Sequence, residues 1–209
     1  MNYLTSAFVA VGLLTATALS AQITPVGITG TGPYYNSASL IIDGFTAPQS
    51  SITPYNINWW AGADNTYWNG LDTSFTIDLG ATFHVTDIAW SVDNNDAYAL
   101  KTSLDGVTFT PLFSILQSDG EVDAGNPGGM DTMNSFLGNP DYVASMDFAP
   151  VDARYLRVAA VGGDNSYAIG EVTAYGTPLG GAVPEPSTYG IFGAAALLGA
   201  AFWRRSRRS

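Results

Sequence analysis

Trp59, Trp60, Tyr67 and Trp68 fall within ten residues of one another, interleaved with Asn58, Asp64, Asn65 and Asn69. Sugars present flat C–H faces that stack on aromatic rings, while amides and carboxylates take their hydroxyls, so this mixture suits a carbohydrate platform. Trp59 and Tyr67 are the ring candidates. Asn94 and Asn95, in the run Asp93-Asn94-Asn95-Asp96, are candidates for the same rim. Two plainer readings stand beside these. Trp60 and Trp68 serve equally as core plugs, and an Asp/Asn run between strands is a sufficient polar turn. Catalytic chemistry has less to work with. His84 is the sole histidine and cysteine is absent. Ser–His–Asp order, HExxH, a P-loop and a dinucleotide fingerprint are all missing. Carboxylates are plentiful, but no pair is distinguished by spacing. The chain reads as non-enzymatic, with a polysaccharide-processing enzyme the remotest alternative.

Charge narrows the partners. Residues 22–183 contain three basic side chains, Lys101, Arg154 and Arg157, against seventeen acidic ones, a net charge near −14. Nucleic acid and anionic lipid are poor partners for such a surface. Divalent cations and neutral sugars are plausible ones. Without cysteine there is no disulfide and no thiolate metal site, so the core must hold the domain, with or without an ion. About 160 residues suffice for one domain with a real core.

The elements that must position these residues read as strands. Phe75, Ile77 and Leu79 alternate on one face, as do Ile88, Trp90 and Val92. Residues 97–104 and 107–112 flank Asp105-Gly106, a dipeptide suited to a type I′ hairpin. Residues 142–148, 154–158 and 168–175 are further strands. Residues 118–141 are acidic and Gly-rich and read as a large loop. Short strands with turns every eight to twelve residues predict an all-β antiparallel sandwich.

The order of these pieces resembles the discoidin (coagulation factor 5/8 C-type) domain of the galactose-binding-like superfamily. The matching residues are Ile42-Asp43-Gly44, Trp59-Trp60, 75–80, 85–88, 103–110, 153–158 and 170–176. Relative to the family pattern, 44–59 is long and 118–141 looks inserted. The resemblance implies an eight-stranded jelly-roll β-sandwich and sugar binding through loops at one end. It also implies a structural Ca2+ between Asp43 and Glu171, completed by backbone carbonyls around 44–51, since calcium takes six to eight oxygens. Glu171 lies in an otherwise apolar strand, where an unpaired carboxylate costs several kcal/mol. The alternative to calcium is an ion pair with Arg154 or Arg157.

Both ends speak of export. Ala7–Ala21 is apolar or small, as in a signal peptide, although the first residues carry no Lys or Arg. Cleavage is expected near residue 21. At the other end Val183-Pro184-Glu185-Pro186-Ser187 precedes the uncharged run 189–203 and the basic tail 204–209, which includes Arg204 and Arg205. Fifteen helical residues cover about 22 Å of a hydrocarbon core of about 30 Å, a short span suited to transient insertion. The arginines would keep the C-terminus inside. Motif, span and tail in this order resemble the PEP-CTERM sorting signal of Gram-negative bacteria. That resemblance implies an inner-membrane precursor, a processing exosortase after signal peptidase, and release to the cell surface or matrix. The expected organisation is a signal peptide (1–21), a sandwich (22–180) and a sorting signal (181–209) ending in a hydrophobic helix. The expected function is non-covalent carbohydrate binding. A structural matrix or biofilm protein without a specific ligand is the alternative.

Overall fold

The two alternating runs 75–79 and 88–92 belong to a single strand, β4 (Ser74–Asp93), in the computed structural model, which describes residues 20–46, 49, 61–120 and 129–180. β4 is irregular between Asp78 and Phe83, and this break lets one strand serve two layers. Its first half pairs with β2 (Gly27–Thr31) and with β8 (Val151–Gly162). Its second half pairs with β7 (Met130–Asn134) and with β9 (Ser166–Pro178). β5 (Ala97–Ser103) joins β8, and β6 (Thr110–Ile115) joins β5. β1 (Ala21–Ile23) and β3 (Thr66–Asn69) both line β9. Every ladder between these strands is antiparallel. The expected all-β antiparallel sandwich is what forms.

The alternation foreseen in β4 fills the interior. Phe75, Ile77 and Leu79 from one half and Ile88, Trp90 and Val92 from the other join one core cluster with Tyr98, Leu100, Leu156 and Val158. Trp68 is 0% exposed and packs edge-on against Phe75 and Tyr98. Of the two readings of Trp68, core plug is the one that holds. Trp90 is equally interior, edge-on to Phe113 at 5.0 Å.

Three local expectations are corrected. Asp105-Gly106 is not a two-residue hairpin: β5 stops at Ser103 and β6 starts at Thr110. The Asp105 carboxylate accepts the N–H groups of Val107 and Thr108, which stabilises a wider turn. Residues 118–141 are not all loop, because β7 lies within them and buries Met130 and Met133. Residues 142–148 are not a strand. They hold a 3₁₀ turn, Ala144–Met146, after one bridge between Tyr142 and Asn134. The signal peptide, except its last two residues, the sorting motif and the hydrophobic run lie outside the described residues, as do Trp59 and Trp60.

Candidate functional site

Two groups of polar side chains at the β4–β9 layer stand out. The first joins the loop after the 3₁₀ turn Ala38–Ile42 to β9. Glu171 is 5% exposed. Its Oε2 accepts from the Gly44 N–H at 2.9 Å and its Oε1 from the Thr173 hydroxyl at 3.2 Å. Asp43 and Glu171 line one small cavity of about 120 Å³ with Gln22–Pro25. Burial pushes the Glu171 carboxyl up to about 7, the two donors oppose this, and the Asp43 charge adds to it. The expected alternative partner is not there. Arg154 grips Asp78 with two bonds of 3.1 Å, and Arg157 donates to Thr76 and lies over the Phe109 ring.

This donor set fits a hard cation in kind. It offers two carboxylates side by side, one of them desolvated, with no ammonium or guanidinium between them. Asp43 and Glu171 would hold a Ca2+ together with backbone oxygens, because two carboxylates alone fall short of its coordination number. Among the described residues no group of three or more His, Asp or Glu side chains is placed to bind a metal.

The second group surrounds the β4–β5 and β8–β9 turns. Asp96 Oδ1 accepts the Asp164 N–H at 3.0 Å. Gly163 has φ +135°, and a Cβ there would sit 1.7 Å from Asp96 Oδ1, so the turn requires glycine. Asp93 and Asp96 are 2% and 1% exposed, and Asp93 Oδ1 and Asp96 Oδ2 meet no hydrogen-bond partner. Burial, with the charges of Asp96 and Asp164, pushes Asp93 up to about 8. Burial pushes Asp96 to about 7 against the Asp164 N–H. Burial therefore shifts Asp93 toward its neutral acid form. Sequence reading missed this pair. Asp-Asn-Asn-Asp signals a solvated turn, and only the third dimension shows it covered.

The rim residues separate here. Asn94 is 1% exposed and its Oδ1 accepts from Gly129 N–H, so it ties the turn inward rather than facing a ligand. Asn95 is partly exposed, donating to Asp164 Oδ2 while its carbonyl accepts from Gln117 Nε2. Tyr67 pairs with Ala168 in the same region, near the β8–β9 turn. Its ring stacks on Tyr35 at 4.9 Å and 17°, and the two backbones exchange both N–H···O bonds. Tyr35 is 57% exposed. Beside it Asn36 donates to the carbonyls of Gly62 and Asn65 and holds that loop. Tyr35 was not among the expected rings, because it is 32 residues from Tyr67 in sequence and nothing local marks it. His84, also apart, is half-exposed and pairs with Asp152 at 2.8 Å.

Residues 182–208 match the PEP-CTERM protein-sorting motif. The chain carries that sorting signal. The chain has no match among curated proteins. Its sandwich shares its fold with two solved structures at TM-scores of 0.50 and 0.51. Truncated AlyQ with CBM32 and alginate lyase domains shares 18% identity at TM-score 0.51, over 77% of this chain and 34% of that one. The present chain thus spans about a third of that protein. The lectin-binding domain of lectinolysin, a His 62 mutant complexed with Lewis b, shares 14% identity at TM-score 0.50, over 74% and 95% of the two chains. CBM32-1 from a family 31 glycoside hydrolase of Clostridium perfringens shares 18% at TM-score 0.44, over 73% and 96%.

Proposed function

We propose that the PEP-CTERM chain is an exported surface or matrix protein whose sandwich, residues 22–180, binds carbohydrate without catalysis. The binding end is the one carrying the Tyr35–Tyr67 stack, with Asn95 on the neighbouring turn; Trp59, outside the described residues, is a further candidate ring. The observation that carries this reading is the exposed Tyr35 ring, braced from behind by Tyr67. A flat aromatic face fixed in orientation and open to solvent is what a sugar ring stacks on. The fold supports the reading, since a lectin domain complexed with Lewis b shares it. Signal peptidase acts near residue 21. An exosortase then removes the tail after Pro184-Glu185-Pro186, the Arg204 and Arg205 region having held the C-terminus inside during transient inner-membrane insertion. Ca2+ between Asp43 and Glu171 stabilises the fold and does not contact the sugar.

A glycan array tests this directly. Tyr35→Ala and Tyr67→Ala should keep the melting temperature within a few degrees and lose array signal. Trp90→Ala, by contrast, should destabilise by roughly 3–5 kcal/mol, because it opens a core cavity. An array with no signal for wild-type protein would leave a structural matrix protein as the function.

A further inference from the structure

All three basic side chains of residues 22–183 reach one outer face of the sandwich. Lys101 in β5 stands directly opposite Arg157 in β8, and Arg157 stands opposite Thr76 in β4, so all three share a side of adjacent strands. Asp78, two residues from Thr76, faces the same way and receives the Arg154 guanidinium. That pair is internally neutralised, and the bond to Arg154 holds the Asp78 carboxyl below the usual carboxylate range. Lys101 and Arg157 form no ion pair among the described residues. Arg157 is fixed in place: its Nε donates to Thr76 Oγ1 at 3.0 Å and its guanidinium lies 3.7 Å from the Phe109 ring centre. Lys101 is exposed.

We propose that this face binds an anionic polysaccharide, with Lys101 and Arg157 taking carboxylates of uronic acid residues. Among the described residues, no carboxylate neutralises these two positive charges. The Debye length is about 8 Å at physiological ionic strength, so acidic groups at the far loop end are screened from this face. The two cations stand on neighbouring strands, and strands in a sheet lie about 4.8 Å apart, so a polymer crossing the strands meets them in succession. A planar guanidinium with its Nε already engaged keeps N–H donors for a carboxylate. The side chains opposite them on the flanking strands are Thr76, beside Arg157, and Pro111, beside Lys101. The aromatic ring beside Arg157, Phe109, is already covered by the Arg157 guanidinium, so the face presents charge and hydroxyls to a polymer. The site is distinct from the Tyr35 end and does not depend on it.

Affinity electrophoresis of the full-length chain in detergent, through gels containing polygalacturonate or its carboxyl-reduced form, tests the proposal. Polygalacturonate should retard the protein, the carboxyl-reduced polymer should not, and NaCl at about 0.5 M should abolish retardation. Lys101→Gln should weaken binding several-fold with an unchanged melting curve, and Lys101→Gln/Arg157→Gln by about tenfold or more. Tyr35→Ala should leave it intact, which separates this face from the loop-end reading. Equal retardation by the carboxyl-reduced polymer, or undiminished binding by the double variant, overturns the proposal. So does self-association that occurs without polymer and disappears in the double variant, which would give the face to the acidic surface of a second copy.

Discussion

Glu171 and Asp93 are buried carboxyls two residues apart in the β4–β9 register, for Glu171 faces Ser91, yet they are solvated by the protein in opposite ways. Each Glu171 oxygen receives a donor, and a cavity lies beside it next to Asp43. Asp93 leaves Oδ1 without a partner, and the backbone N–H groups of Asn94 and Asn95 only partly offset burial and the charges of Asp96 and Asp164. Burial raises both pKa values. The first arrangement is the one we propose for a cation, which would return Glu171 to its charged form. The second favours the protonated acid. Burial alone therefore does not say what an acidic side chain is for, while its donors and the space beside it do.

pH separates the two carboxyls most broadly. The folded chain keeps protons on Asp93, Asp96 and Glu171 that the unfolded chain has released above about pH 4. The unfolded state thus binds fewer protons between about pH 4 and 8, and stability falls as pH rises through that window. The limit is about 1.4 kcal/mol per pH unit for each group. Metal-free protein should melt several degrees lower at pH 8 than at pH 5, as followed by circular dichroism. A melting temperature that rises over this interval would contradict the buried, unpaired state of these acids.

Calcium should act on one group only. A ligand bound to the folded state alone stabilises it by about 2.7 kcal/mol at a hundredfold excess over Kd, roughly 5–10 °C for a chain of this size. EDTA should remove that increment. Glu171→Gln should abolish the EDTA response, whereas Asp93→Asn should preserve it. Calcium affinity should also grow as pH rises through about 7, where Glu171 ionises. Melting curves indifferent to EDTA, with no metal found by mass spectrometry, would reject the ion.

A smaller effect separates the acids from the other side. Asp93→Asn removes a group that must ionise in a covered place. It should stabilise the protein by about 1–2 kcal/mol at pH 8 and change little at pH 5. Asn95→Ala, on the partly exposed tip of the same turn, should shift stability by no more than about 0.5 kcal/mol at either pH.

The sequence alone carried what depends on neighbouring residues or on order along the chain. Period-two apolar patterning determined the strand faces, because a pleated strand sends Phe75, Ile77 and Leu79 to the same side whatever they later meet. The Pro-Glu-Pro motif, short apolar run and arginine tail were legible because they act as a linear signal. The pairing of Asp43 with Glu171 came through resemblance of order, and the chain does bring them together. What depended on packing was not legible. A single strand bent across two layers looked like two strands, since a break in alternation does not reveal whether the chain turns back. Met130–Asn134 looked like loop because its partner, the second half of β4, lies about forty residues away. Asn94 and Asn95 are adjacent and chemically identical, yet one is locked to Gly129 and the other sits at the tip. Tyr35 gained its place only when its backbone bridged to Tyr67. In each case burial and partners come from segments distant in sequence, and tertiary contact alone decides which polar groups keep their water.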